Sequence, residues 1–270
     1  MANLPYTLRN TRNTPGCFLF LVDQSGTMGQ PFGGDPRKTK AQAVADAING
    51  IIQELIIKCS AGVKVLDRCY LGAIGYGEYV GLGFVGNLAD QVIQPISRID
   101  ANPLGFESRG TEGTQFPLWY QPVARGRTPM CQALQAAQEA IADFVRQHPT
   151  CCAPIVLNLT DGEANDGNPA PLAMALQQIP TADGNVLLFN AHVSAKQEQP
   201  VLFPSDEAGL PDDFARCLFR ISSLLPPSML QEAQLNEESV AAGARGFAFN
   251  VNGMATVVKF IKIGTMGSGK

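Results

Sequence analysis

The chain has 270 residues, 45% of them hydrophobic and 16% charged, which suits one large globular domain. A net charge of -4, a pI near 5.2 and the lack of any Lys/Arg-rich run give no electrostatic footprint for a nucleic-acid backbone, so nucleic acid is not an expected partner. The opening MANLPYTLRNTRNTPG has no apolar core before the six-residue run Cys17 to Val22, too short for a signal peptide or a membrane span. A cytoplasmic protein with no membrane partner is expected. Seven cysteines, an odd number with no CxxC pair, read as reduced thiols, including the adjacent Cys151 and Cys152.

The first element is the stretch FLFLVDQSGTMG, Phe18 to Gly29, whose short continuous apolar run predicts a buried parallel strand with Asp23 at its carboxyl end. Asp35-Pro36 then offers an N-cap followed by proline at the first helical position. Ala41, Val44, Ala45, Ile48, Ile51, Ile52, Leu55 and Ile56 continue at steps of three and four, one apolar face of a helix running to about Lys58. DRCYLGAIGYG predicts a strand from Asp67 that ends in glycines, and Glu78 to Phe84 an antiparallel edge strand. Residues 86–123 break the pattern with prolines, glycines and the aromatics Phe106, Phe116, Trp119 and Tyr120, a long irregular excursion. Those aromatics either reach the rim of a site or fill a gap in the core.

Thr128-Pro129 caps the next predicted helix, along which Met130, Leu134, Ala137, Ile141, Phe144 and Val145 keep helical spacing. PIVLNL is a buried strand, Pro169 to Ile179 a helix, Asn185 to Val193 a strand, 194–211 a looser segment and Asp212 to Leu225 a helix. GFAFNV gives the last strand and ATVVKFIKI the last helix. Strands alternating with helices at this interval predict an α/β, doubly wound, mostly parallel sheet of Rossmann-like type, with helices on both faces and one antiparallel edge strand. Residues 1–16 read as an extension, 17–263 as a single domain and 264–270 as a flexible tail. Its GSGK lacks the upstream glycine, strand and helix that a phosphate-binding loop requires.

Ligands of open α/β sheets bind at the carboxyl edge, where loops leave the layered core. Three loops meet there. The first supplies Asp23, Ser25 and Thr27, the second Thr128, and the third, TDGE, supplies Thr160 and Asp161. A hard divalent ion such as magnesium takes six oxygens and gives up its waters reluctantly, so hydroxyls and waters can fill much of its shell. His192 and His148 have no nucleophile beside them in this pattern and read as structural residues.

In DQSGT, the threonine of GRTP and TDG, in that order, the sequence resembles the von Willebrand factor A domain with its metal-ion-dependent adhesion site, in an intracellular branch. The resemblance covers Cys17 to about Ile263. It implies magnesium or manganese as cofactor, held by Ser25, Thr27 and Thr128, with Asp23 and Asp161 binding directly or through water. It also implies a protein partner that offers an acidic side chain, in an assembly with an ATPase or a kinase and phosphatase, and no enzymatic activity. Thr27 departs from the commoner serine but keeps the hydroxyl. The alternative is a magnesium-dependent haloacid-dehalogenase-like phosphatase, to which DQSGT and TDGEAND bear a superficial likeness. There the second position of the motif is an acid and base, and here it is Ser25, whose hydroxyl does not titrate near neutral pH.

Overall fold

The structure is a computed structural model and describes residues 5–109, 113–236 and 240–266. Its first strand, β1 (Gly16–Asp23), is buried along its whole length and feeds two cores. Phe18, Phe20 and Val22 enter one of them, Cys17, Leu19 and Leu21 the other. A strand apolar on both faces must lie inside a covered sheet.

Among the described residues the sheet has eight strands. After β1 come β2 (Cys69–Tyr76), β3 (Val80–Leu82), β4 (Ile93–Pro95), β5 (Ile155–Thr160), β6 (Leu187–Val193), β7 (Val201–Leu202) and β8 (Phe247–Val251). The order is β7-β8-β6-β5-β1-β2-β3, with β4 also paired to β2. β1 is parallel to both β2 and β5, in registers that set Asp23 opposite Tyr76 and Val22 opposite Leu159. β5 is parallel to β6 and β6 to β8. The expected single antiparallel edge is joined by two more short pairings, β4 on β2 and β7 on β8.

The helices are α1 (Lys40–Cys59), α2 (Ile96–Asp100), α3 (Met130–Gln147), α4 (Ala170–Gln177), α5 (Asp213–Ile221), α6 (Pro227–Asn236) and α7 (Met254–Met266). α1, α2, α6 and α7 contribute to one core, and α3, α4 and α5 to the other. The layers are those of a doubly wound α/β fold. The chain leaves β1 for β2 on one side, then crosses back to β5 on the other. The winding therefore reverses between β1 and β5, the switch point at which such sheets open a crevice above their carboxyl ends. Among the described residues no helix is long and apolar enough to cross a membrane.

Four expectations need correction. The first helix does not begin at Asp35-Pro36. Those residues lie in a short strand (Asp35–Thr39) paired with Pro31–Phe32, and the Asp35 carboxylate is taken by the Arg37 side chain at 2.9 Å. The cap is Thr39, whose hydroxyl accepts from Gln42 N at 3.1 Å while Gln42 Oε1 accepts from Thr39 N at 2.8 Å, a reciprocal capping box. The excursion 86–123 is also more regular than expected, since it holds β4, α2 and a hairpin of Gly105–Arg109 with Thr114–Leu118. Its aromatics divide: Trp119 and Tyr120 are buried, whereas Phe106 is exposed. Third, α6 has no counterpart among the predicted elements. Last, α7 runs on to Met266, into the segment expected to be a tail, and 267–270 lie outside the described residues.

Candidate functional site: an oxygen cluster at the switch point

At the carboxyl end of β1 the strand turns out of the sheet, and Asp23 stays inside with no exposed surface. Its Oδ1 accepts from Ser25 N at 2.8 Å and its Oδ2 from Thr160 Oγ1 at 2.7 Å. The first bond folds the loop back on the strand end, and the second ties β1 to β5 across the switch point. Burial pushes the Asp23 carboxyl up to about 6, opposed by those two hydrogen bonds and reinforced by the charge of Asp161. A carboxylate buried in this way is stabilised in its charged form by any cation set beside it.

The fold of the first loop presents Ser25 and Thr27 together, their hydroxyl oxygens 3.0 Å apart. Thr27 Oγ1 donates to Asp161 Oδ1 at 2.8 Å, and Ser25 Oγ lies 3.5 Å from the same oxygen. Thr27 is exposed and Ser25 buried, so the cluster sits just under the surface. The second loop is stitched to the first by Arg125 N donating to Gln24 O at 2.6 Å and Gly26 N donating to Gly126 O at 3.1 Å. Gly126 has φ +90°, and a Cβ there would stand 2.1 Å from Glu78 N, so only glycine permits this approach. Thr128 is 7% exposed, and a Cβ added to Gly162 would lie 3.7 Å from its hydroxyl. The five residues selected from the sequence, Asp23, Ser25, Thr27, Thr128 and Asp161, thus come from three loops that close on one another.

In an octahedron with bonds of roughly 2.0–2.1 Å, adjacent ligand oxygens stand about 2.9 Å apart. The Thr27–Asp161 and Ser25–Thr27 separations of 2.8 and 3.0 Å match edges of that size, and the Ser25–Asp161 separation of 3.5 Å is longer. The donor set is all oxygen, suited to magnesium or manganese rather than to a thiophilic ion. Only two of its members are carboxylates, and among the described residues no group of three His, Cys, Asp or Glu side chains could hold a metal. An ion here would depend on hydroxyls and water, and would keep much of its charge.

Several residues at the site were missed. Thr128 does not cap α3. No side-chain cap bond is found there among the described residues, and the exposed amides of the first turn are served by Asp166, which accepts from Cys131 N at 3.0 Å and Gln132 N at 2.9 Å. The neighbouring Asn165 amide clasps the Thr128 backbone, its oxygen accepting from Thr128 N at 2.8 Å. The third loop therefore holds the second. Lys40, the first residue of α1, is 5% exposed and donates to Asp161 Oδ2 at 2.7 Å and Gln30 Oε1 at 3.0 Å. In the sequence it is one lysine in PRKTK, with nothing to set it apart from Lys38.

Beneath Asp23 and Thr160 a chain of buried polar groups crosses the sheet. Tyr76 Oη donates to Asn158 Oδ1 at 2.6 Å, Asn158 Nδ2 to Asn190 Oδ1 at 2.9 Å, and Asn190 Nδ2 to Ser222 Oγ at 2.9 Å. His192 is structural as expected: Nδ1 accepts from Asn250 N at 3.3 Å and the ring stacks on Phe249 at 4.5 Å. Burial lowers it to about 4. A cavity of about 220 Å³ opens beside the third loop, lined by Met130, Ala164, Pro169, Phe214, Cys217 and Leu218 among others. A second, of about 320 Å³, lies near Tyr70 and His148 at the opposite end of the strands.

No family model matches the chain, and no curated protein matches it. Among solved structures it is similar to the type V pili tip protein Mfa5 from Porphyromonas gingivalis, both as three N-terminal domains and as the vWF domain. Each comparison has 13% identity and a TM-score of 0.34, over 56% of this chain and 20% and 39% of those chains. It is also similar to the pilus adhesin RrgA from Streptococcus pneumoniae, with 12% identity and a TM-score of 0.34 over 61% of this chain and 22% of that one. The chain spans less than half the length of each.

Proposed function

We propose that the chain is a von Willebrand factor A-like recognition domain that holds magnesium or manganese and uses it to accept an acidic side chain from a protein partner. Ser25, Thr27 and Thr128 would hold the ion through hydroxyls, with Asp23 and Asp161 bound directly or through water. The observation that carries the reading is the convergence of Ser25, Thr27 and Asp161 oxygens at 2.8–3.5 Å, over a buried Asp23, at the switch point. When bound, the ion supplies a partly neutralised positive centre that a foreign carboxylate can complete. The chain's own residues do the rest. Asp23 and Thr160 fix the loop, the hydroxyls lie at and just under the surface, and exposed Arg127 on the second loop adds positive charge toward an acidic partner, while the neighbouring Arg125 is paired with Glu78 at 3.1 Å.

The phosphatase alternative needs a titratable acid two residues after Asp23. Ser25 Oγ stands at that position, hydrogen-bonded within the cluster to Thr27, and offers no such group. We read the domain as non-enzymatic. Calorimetric titration of the chain with magnesium and with manganese, beside Asp23→Ala, tests the proposal. One ion bound by the wild type and lost in the variant supports it, and equal affinity in both overturns it. Magnesium-dependent hydrolysis of an aryl phosphate that disappears in Asp23→Asn would instead favour the phosphatase.

A further inference from the structure

Lys40 occupies an unfavourable place for a cation. It is the first residue of α1, where the helix dipole presents positive charge and disfavours a second one. Its side chain is 6% exposed, and burial of an ammonium is costly unless it is paired. Two acceptors meet it: Asp161 Oδ2 at 2.7 Å and Gln30 Oε1 at 3.0 Å. Its own backbone N donates to Gln30 O at 3.0 Å, so the residue is fastened at both ends to the segment that follows the first loop. The Asp161 carboxylate has no exposed surface and is divided between two functions. Oδ2 faces the ammonium, and Oδ1 faces the hydroxyls of Thr27 and Ser25.

We infer that Lys40 is a built-in counter-cation of the site, a positioning residue that holds Asp161 by one oxygen and competes electrostatically with the divalent ion. The inference rests on the metal-binding reading above. Two carboxylates and one ammonium give the cluster a single net negative charge, where the carboxylates alone would give two. An ion in this cluster is held less tightly than by the carboxylates alone, and is left with more positive charge for a partner's carboxylate. Because the ammonium occupies Oδ2, Asp161 cannot turn both oxygens to the ion without breaking the pair. In the metal-free protein the same ammonium keeps the buried Asp161 charge compensated, so the loops need not rearrange before the ion enters.

The opposite reading makes Lys40 a plain structural partner of Asp161, whose removal loosens the site. The two differ in sign. Magnesium and manganese are titrated into the full chain calorimetrically, with manganese followed also by electron paramagnetic resonance, for wild type, Lys40→Met and Lys40→Arg. The inference expects affinity in Lys40→Met to rise by about tenfold or more, with Lys40→Arg close to wild type. It also expects melting in EDTA to fall in Lys40→Met and to be recovered by magnesium. Lys40→Gln, which keeps a donor for Asp161 without the charge, serves in the same titration if Lys40→Met does not fold. Wild type that binds the ion, with the neutral variants equal or weaker, overturns the inference and leaves the metal reading standing. No binding by wild type or by either neutral variant sinks the metal reading and the inference with it. Binding by a neutral variant alone supports Lys40 as a competitor that excludes the ion.

Discussion

Thr160 Oγ1 donates to Asp23 Oδ2 at 2.7 Å, and this one bond joins the carboxyl ends of the two strands between which the sheet reverses its winding. The same hydroxyl accepts from Gly162 N at 3.2 Å, so it fixes the buried carboxylate and the start of the third loop at once. A ligand constellation drawn from separate loops depends on such a link, because the hydroxyl positions are set only as well as the strand ends are.

Thr160→Val keeps the shape and removes both hydrogen bonds. A hydrogen bond to a charged acceptor contributes about 1.5–3 kcal/mol, so magnesium affinity should fall by roughly tenfold or more. Thr160→Ser should restore it. Calorimetry on the two variants checks this, and unchanged affinity in Thr160→Val would remove Thr160 from the site.

The excursion residue Trp119 should matter for stability and leave ion binding alone. It is 1% exposed, its indole donates to Ile99 O at 2.7 Å, and its backbone N donates to Asn49 Oδ1 of α1 at 2.8 Å. Trp119→Ala should cost about 3–5 kcal/mol by denaturant unfolding, with the magnesium affinity of the folded fraction within about twofold of wild type. A normal melting curve with lost ion affinity would return the aromatic to the rim of the site.

Trp119 also shows why this part of the fold was not legible. Pro, Gly and aromatic residues in 86–123 carry no period, and what fixes Trp119 and Tyr120 is Asn49, a polar residue on the buried face of a helix 70 residues before Trp119. The alternating strands and helices were readable because each carries its own apolar period, as β1 and α3 do. Asp23, Ser25, Thr27, Thr128 and Asp161 were selected because loop position and oxygen chemistry coincide, and the structure brings the Ser25, Thr27 and Asp161 oxygens within 3.5 Å of one another. Lys40 and Asp166 were not, since their partners lie across space and their neighbours in sequence are ordinary. Asp35-Pro36 misled for a local reason: Arg37 takes the carboxylate that was expected to cap the helix.

His192 should give the protein an acid limb. Its folded value near 4 lies below the ordinary 6.5, with burial the largest cause and the charges of Lys40 and Lys196 adding to it against Asp161 and Asp212. As pH falls, the unfolded chain takes up this proton first, so the His192 contribution to stability is full above about pH 6.5, declines as pH drops toward about 4 and then levels off, while Asp23, near 6 in the folded state, acts in the opposite sense below about pH 6. His192→Gln should flatten that part of the urea-denaturation profile whatever its effect on absolute stability. An unchanged slope between pH 6.5 and 4 would show that other groups set it.

Asp166 should couple helix α3 to the three loops of the oxygen cluster. A helix start leaves amides without intrahelical partners, and here a carboxylate from another loop serves two of them at 3.0 and 2.9 Å while bringing negative charge to the positive end of the dipole. Asp166→Ala should therefore cost about 1–2 kcal/mol, and Asp166→Asn less, because an acceptor oxygen is kept and only the charge is lost. The next residue back, Asn165, holds the Thr128 backbone, so freeing the loop at 166 also frees the second loop beneath its threonine. Magnesium affinity should drop in Asp166→Ala, but by no more than in Thr128→Ala, which removes the hydroxyl itself, since Asp23, Ser25, Thr27 and Asp161 stay held in both. Calorimetry and denaturant unfolding on the same three proteins separate the outcomes. Lost stability with wild-type affinity would make Asp166 a helix cap and nothing more, and unchanged stability would remove it from the helix start as well.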